Sequence, residues 1–496
     1  MPVISKEEGA SIRCNILKTG YNSSYRQHGI YTFDRVQVRG FKRQNIRREA
    51  HTLRYVFALL FLANACLAQD ISEMDSLCEI YESNGQFMGS VLVARGDQVL
   101  FSKSYGSADL EWNVPNTSTT KFRIGSITKQ FTAASVLLLE ERGKLKIQDP
   151  IRNYLPDTPP AWDSITIFHL LTHTSGLPPI HDPSEAAKLN PFAVTPAQNI
   201  AKIHDKPLEF APGSQYKYCN PGYILLGLLI EKVSGKSYQE FLQENIFSPL
   251  GMNDSGYDSN SDIIPRRANG YAPGLKGVEH APFIHMSLPF SAGALYSTTE
   301  DLLRWELGLF GGKLLSAESL EKMTTPFKED YGFGLHINTF NGRQRIIHGG
   351  GIEGFNTYLA YFPDSKITVI TLANLNGNVP QQLEDKLAAL AHGDSVTLPS
   401  VQREITVDPS ILAKYAGTYR LRPGTDLTVT LENGQLITQV IGQQKFPIYP
   451  ESETTFFLKV ADATYEFVKD DKGDVSSVVL RQGSREIWAP RISEKK

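Results

Sequence analysis

Apolar positions recur along the chain with periods that change from segment to segment. Residues 71–83 carry them at helical spacing and read as an amphipathic helix. Residues 89–94 and 98–105 read as strands, and Arg95-Gly96-Asp97 between them is a hairpin signal. From Phe131 to Arg142 a run of helix formers carries an apolar stripe (Phe131, Ala134, Leu137, Leu138), which Gly143 closes. Gly125 supplies a turn ahead of it, so Ser126 is expected at or near a helix N-terminus with Lys129 one turn later on the same side. A turn-rich loop over 210–223 feeds an apolar helix over 224–233, and Thr298 or Thr299 caps a helix over 300–309. Residues 356–362 and 367–374 are two strands around the turn Pro363-Asp364-Ser365. Strand pairs at both ends predict an α+β domain over 71–390: one antiparallel sheet flanked by helices, plus an all-helical region from the middle of the chain.

A linker is expected over 391–408. Residues 409–496 then change character. Short alternating segments (427–431, 435–440, 455–459, 465–469, 475–481, 486–489) are separated by Asn433-Gly434, Lys472-Gly473 and Gln482-Gly483. That pattern predicts a small all-β domain, a sandwich or a barrel.

The first 52 residues fit neither pattern. Residues 1–54 hold eleven Lys/Arg against four acids and show no clear periodicity. The apolar run that follows is too short to span a bilayer as a helix. Its basic flank, apolar centre and small terminal residues read over 53–68 as a secretory signal cleaved after Ala68. On that reading the chain starts near Leu53, residues 1–52 are a doubtful extension, and the mature protein is periplasmic or extracellular. The alternatives are a basic arm ahead of an uncleaved anchor, and a lipoprotein site at Ala65-Cys66, which Ala63 and Asn64 fit poorly.

Composition adds exclusions. With 496 residues and a formal charge of −3 there is no broad basic surface, so nucleic acid is not an expected partner. The four cysteines, Cys14, Cys66, Cys78 and Cys219, form no C-x-x-C, and Cys78 and Cys219 read as small buried hydrophobes. A disulfide between those two stays open. His169 and His173 have the i, i+4 spacing of two zinc ligands, but Leu170 stands where H-E-x-x-H needs Glu, so a structural role is expected. No cofactor and no metal enters the reading, and nothing sets an oligomeric state.

S-x-x-K occurs five times, at Ser118, Ser126, Ser214, Ser319 and Ser493, so the tetrapeptide proves little by itself. Only Ser126 opens an apolar helix. A nucleophile at the positive end of a helix dipole, beside a base, suits acyl transfer. Further on, Tyr-x-Asn occurs once, at Tyr218 and Asn220, and His348-Gly349-Gly350-Gly351 follows. In this order Ser126-x-x-Lys129, Tyr218-x-Asn220 and His348-Gly349-Gly350 resemble the serine β-lactamase and penicillin-binding-protein superfamily. The nearest branch is that of class C β-lactamases, D-alanyl-D-alanine carboxypeptidases and related esterases. The likeness runs over about 71–390, with supporting blocks at 170–177, 210–223 and 291–305.

The resemblance implies a β-lactamase-like fold and roles by position. Ser126 would be the acylated nucleophile and Lys129 the amine that lowers its proton affinity. Tyr218 would act with the lysine as base and return the proton to the leaving group. Asn220 would hold the substrate amide, and the backbone N–H groups of Ser126 and Gly351 would form the oxyanion hole. His348 takes the place of a lysine, and Gly349 that of a Thr or Ser hydroxyl that helps anchor a substrate carboxylate. The implied partner is a small molecule or peptide: an ester, amide, D-amino-acid peptide or β-lactam, with carboxylate-bearing antibiotics the poorer substrates. Residue chemistry agrees. A serine hydroxyl needs a nearby proton acceptor, a lysine serves only if burial or another positive charge lowers its pKa, and a tyrosine phenolate needs a cation, for which Lys129 and a protonated His348 are the candidates.

Two other classes compete. His348-Gly349-Gly350-Gly351 matches the oxyanion string of α/β-hydrolases, but no G-x-S-x-G elbow exists and the string follows the serine instead of preceding it. A binding or sensor protein could keep the fold without turnover.

Overall fold

The computed structural model describes residues 71–180, 192–274, 277–460, 462–482 and 485–492. The extension, the signal segment and Cys14 and Cys66 lie outside the described residues. Among these residues no helix is long and apolar enough to cross a membrane.

Helix α1 (71–83) leads into β1 (Gly89–Arg95) and β2 (Gln98–Tyr105). After the central helices come β3 (His336–Phe340), β4 (Arg343–Ile352), β5 (Phe355–Phe362) and β6 (Ile367–Ala373). They form one six-stranded sheet in the order β3-β4-β5-β6-β1-β2, every pair antiparallel. Gly89 pairs with Ala373 and Arg95 with Ile367, so the two ends of the domain meet at the sheet centre. The four expected strands are therefore present in one sheet, extended on one side by two further strands, β4 and, at the edge, β3.

Strand β6 (ITVITLA) is buried at all seven positions because both faces are covered. Alternate residues serve two cores. Ile370 and Leu372 join Leu92, Leu359 and the helix carrying Phe131 and Leu137. Ile367 and Val369 join Val91 and Val93 with Met74, Leu77 and Tyr81 of α1 and Leu383 and Leu387 of a helix over Val379–Ala391. The helix over Thr128–Glu141 is not one-sided as its stripe predicted. Residues 128–139 are all buried, since this helix runs through the middle of the larger core. The later helix spans Thr299–Phe310, and of its two candidate caps it is Thr298 whose hydroxyl accepts from Asp301 N–H.

Residues 417–492 form a closed eight-stranded barrel, which decides between the two all-β alternatives. Each strand pairs antiparallel with the next and the last closes onto the first. A short helix, Pro409–Tyr415, precedes it.

Candidate active site

Gly125 has φ +50, a left-handed conformation that glycine adopts without strain. It opens a tight 3₁₀ turn, Gly125–Ile127, that continues directly into the Thr128–Glu141 helix. Ser126 thus stands two residues ahead of the α-helix, in the middle of the 3₁₀ turn, with Lys129 beneath it. Lys129 is fully buried. Its Nζ lies 3.0 Å from Ser126 Oγ, 2.9 Å from Asn220 Oδ1 and 2.8 Å from the Ala292 carbonyl. As an ammonium it donates to all three. As an amine it keeps Asn220 and Ala292 and turns its lone pair to the serine hydroxyl. No carboxylate among the described residues pairs with it, so burial draws its pKa down from 10.5 to about 7.

Tyr218 sits 4.7 Å, ring centroid to Lys129 Nζ, on the cleft side. The residue as a whole is 38% exposed, yet protein crowds the phenol. Burial pushes its pKa up by more than a hydrogen bond with Ser126 draws it down. The adjacent Asn220 begins the Asn220–Ser234 helix, with Pro221 in its first turn. Its Oδ1 faces the lysine, and its side chain borders the cleft.

The glycine strand packs on the serine turn. A Cβ on Gly350 would lie 2.0 Å from Ile124 O and 2.5 Å from Thr357 Oγ1, and one on Gly125 would lie 2.9 Å from Gly351 N. Only bare backbone fits, which brings Gly351 beside Ser126. Both line a cavity of about 340 Å³ with the apolar side chains of Leu177, Ile224, Leu288 and Ile352. Ser126, Tyr218 and Gly351 also border a second cavity of about 580 Å³, with His348, Gly349, Gly350 and Tyr358.

His348 departs from expectation. Its Nδ1 is 2.6 Å from Gly349 O, a carbonyl that can only accept, so Nδ1 carries the proton. Nε2 then accepts from the Tyr331 hydroxyl at 3.1 Å. Burial, reinforced by the Lys129 charge, takes its pKa down to about 3. His348 is neutral near pH 7 and supplies no cation for a Tyr218 phenolate. This overturns the protonated form considered from sequence.

The His169–His173 spacing does not fall on one helical face. The helix ends at Leu171, and His173 lies beyond it at φ +55. His169 Nδ1 accepts from Thr166 N–H in an N-terminal capping box. His173 Nδ1 accepts from Cys219 N–H at 3.0 Å, and its ring lies 4.3 Å from that of Tyr218. Sequence reasoning gave His173 only a structural role and gave none to Tyr331 or the Ala292 carbonyl. The block around Ser291-Ala292-Gly293 was the one signal for the last. Cys78 and Cys219 are both buried free thiols, so the open disulfide is not formed.

Comparison with known proteins follows the same outline. Residues 82–393 match the family Beta-lactamase, and residues 401–493 match a domain of unknown function, DUF3471. The chain is similar to a penicillin-binding protein of Bacillus subtilis (strain 168), 30% identical over 442 residues, covering 83% of this chain and 97% of that one. It is similar to the octameric penicillin-binding protein homologue from Pyrococcus abyssi, with a TM-score of 0.60 and 28% identity over 84% of this chain and 100% of that one. A D-stereospecific amidohydrolase from Streptomyces sp. aligns with a TM-score of 0.55 and 25% identity over 67% of this chain and 99% of that one. With more than half its length matched and the glycine strand packed against the Ser126 turn, the chain belongs to the Beta-lactamase family.

Proposed function

We propose that this chain is a secreted serine hydrolase that forms an acyl-enzyme on Ser126 and acts on small esters, amides or D-amino-acid peptides. One observation carries the reading: a buried amine, with no carboxylate counter-ion among the described residues, 3.0 Å from a cleft-facing serine hydroxyl. Near pH 7 about half of Lys129 is neutral and can take the Ser126 proton as Oγ attacks the carbonyl carbon. The oxyanion that forms is received by the N–H groups of Ser126 and Gly351. The raised pKa of Tyr218 keeps it a phenol, so it passes a proton and does not start as a phenolate. It gives its proton to the leaving group and is refilled by the Lys129 ammonium, and in deacylation the Tyr218–Lys129 pair takes a proton from the attacking water and returns one to Ser126 Oγ as the ester bond breaks. Asn220 donates its amide to the substrate carbonyl.

Substrate preference follows from what surrounds the serine. The smaller cavity is largely apolar. Arg345, in the larger one, is already bound to Glu384 and Asp385, and Gly349 offers no hydroxyl. A substrate carboxylate therefore finds a weak anchor, and β-lactams are the poorer substrates. The likeness to a D-stereospecific amidohydrolase and to penicillin-binding proteins supports D-amino-acid derivatives. The test is a panel of p-nitrophenyl esters, D-alanyl-D-alanine peptides and nitrocefin, with Ser126→Ala as control. Short esters should turn over faster than nitrocefin. The reverse ranking contradicts the substrate argument, and no turnover of any member favours a binding protein.

A further inference from the structure

The C-terminal barrel is filled from one end only. There the Pro409–Tyr415 helix closes it. Tyr415 stacks on Phe467 at 4.4 Å and 19° and meets Phe456 edge-on, and the hydroxyl of Tyr419 donates to Tyr415 O. Eight-stranded barrels have an interior just wide enough to be filled by side chains or by one small ligand. At the opposite end the filling stops. The inward positions Leu421, Val440, Phe446 and Leu480 are only half-buried, and they surround a cavity of about 660 Å³. That volume lies within the roughly 300–1,000 Å³ of small-molecule sites.

On the barrel wall, Arg420 pairs with Asp426, Lys445 with Glu432, and Arg481 with Glu466 and Glu486. Arg422 and Arg485 border the cavity, and among the described residues neither makes an ion pair; Arg422 donates only to Thr425 Oγ1. Arg485 shares strand parity with Ile487 and the buried Ala489, which puts it on the inward register. The chamber mixes apolar walls with Thr438, Gln443, Gln444, Gln482 and, from the Beta-lactamase domain, Asn378, and two guanidiniums without an ion pair among the described residues border it, a lining that suits an amphiphile with an anionic head.

We propose that the open end of the barrel binds a single-chain alkyl carboxylate, its tail among Leu421, Val440, Phe446 and Leu480 and its head against Arg422 and Arg485. This site is separate from Ser126 and does not rest on the hydrolase reading. The test titrates the full chain with dodecanoate, dodecanol and dodecyl phosphate, each below its micellar concentration, by calorimetry and by displacement of a fluorescent polyene fatty acid. Saturable 1:1 binding of dodecanoate is expected. Arg422→Ala with Arg485→Ala should weaken dodecanoate at least about tenfold and leave dodecanol unchanged, since only the charged head loses its partners. Leu480→Trp, which fills the chamber, should weaken both without changing the thermal melt. No saturable binding, or affinities unmoved by both variants, would overturn the proposal. Tight dodecyl phosphate binding with none of dodecanoate would overturn the carboxylate assignment.

Discussion

Lys129 should impose an acidic limb on the reaction. Its amine is wholly buried and its pKa is held down to about 7. A base of that pKa is about half neutral at pH 7 and about one-hundredth neutral at pH 5, a factor of ten per unit. The folded value lies below the 10.5 of an exposed amine, so the competent neutral form is the one present above pH 7. On p-nitrophenyl acetate, kcat/KM should fall about tenfold per unit below roughly pH 6.5 and level off above roughly pH 7.5. Lys129→Arg keeps a long cation whose charge cannot be lost, and should cost at least about a hundredfold on the plateau. Tyr218→Phe should lower the plateau by a similar factor yet leave the limb near pH 7, because the amine stays buried. The same shift has a stability sign. Between about pH 7 and 10.5 the unfolded chain holds a proton on Lys129 that the folded one lacks, so this residue's contribution rises with pH across that window and is least below 7. A profile flat from pH 5 to 8, or a limb and rate unchanged in Lys129→Arg, would refute the assignment of Lys129 as base.

Two further predictions follow from packing and burial. Gly350→Ala drives a methyl into Ile124 O, two residues before the nucleophile, so it should destabilise by about 1–3 kcal/mol and depress kcat/KM together, read by thermal melt and ester hydrolysis. Glu306 is buried with one carboxylate oxygen unpartnered, and burial raises its pKa from 4.5 to about 8, so its contribution to stability falls as pH rises from about 4.5 through 8. Glu306→Gln should flatten that fall and raise the melting temperature at pH 9, checked by melts at pH 5 and 9.

The parts of this site that were legible in the sequence are those that local chemistry decides. Gly125 marks the turn and the S-x-x-K spacing sets amine under hydroxyl. The hairpins around Arg95-Gly96-Asp97 and Pro363-Asp364-Ser365 are likewise local. What stayed hidden depends on burial and on partners far along the chain. His348 looked like a possible cation until Tyr331 and the surrounding core fixed its neutral tautomer. His173 looked like half of a helical pair until the helix ended at Leu171. The Ala292 carbonyl that completes the lysine's shell leaves no side-chain signature. The Thr128–Glu141 stripe underestimated burial because periodicity reports one covered face, and this helix is covered on all sides.

The central claim is a covalent bond to one oxygen. Brief incubation with a fluorophosphonate or with a p-nitrophenyl ester of a slowly deacylating acid, followed by intact-mass and peptide mass spectrometry, reads it directly. The account predicts one adduct per chain, on the peptide containing Ser126, and none on Ser126→Ala. An adduct on another residue, or an unmodified chain that still hydrolyses the ester, would contradict it.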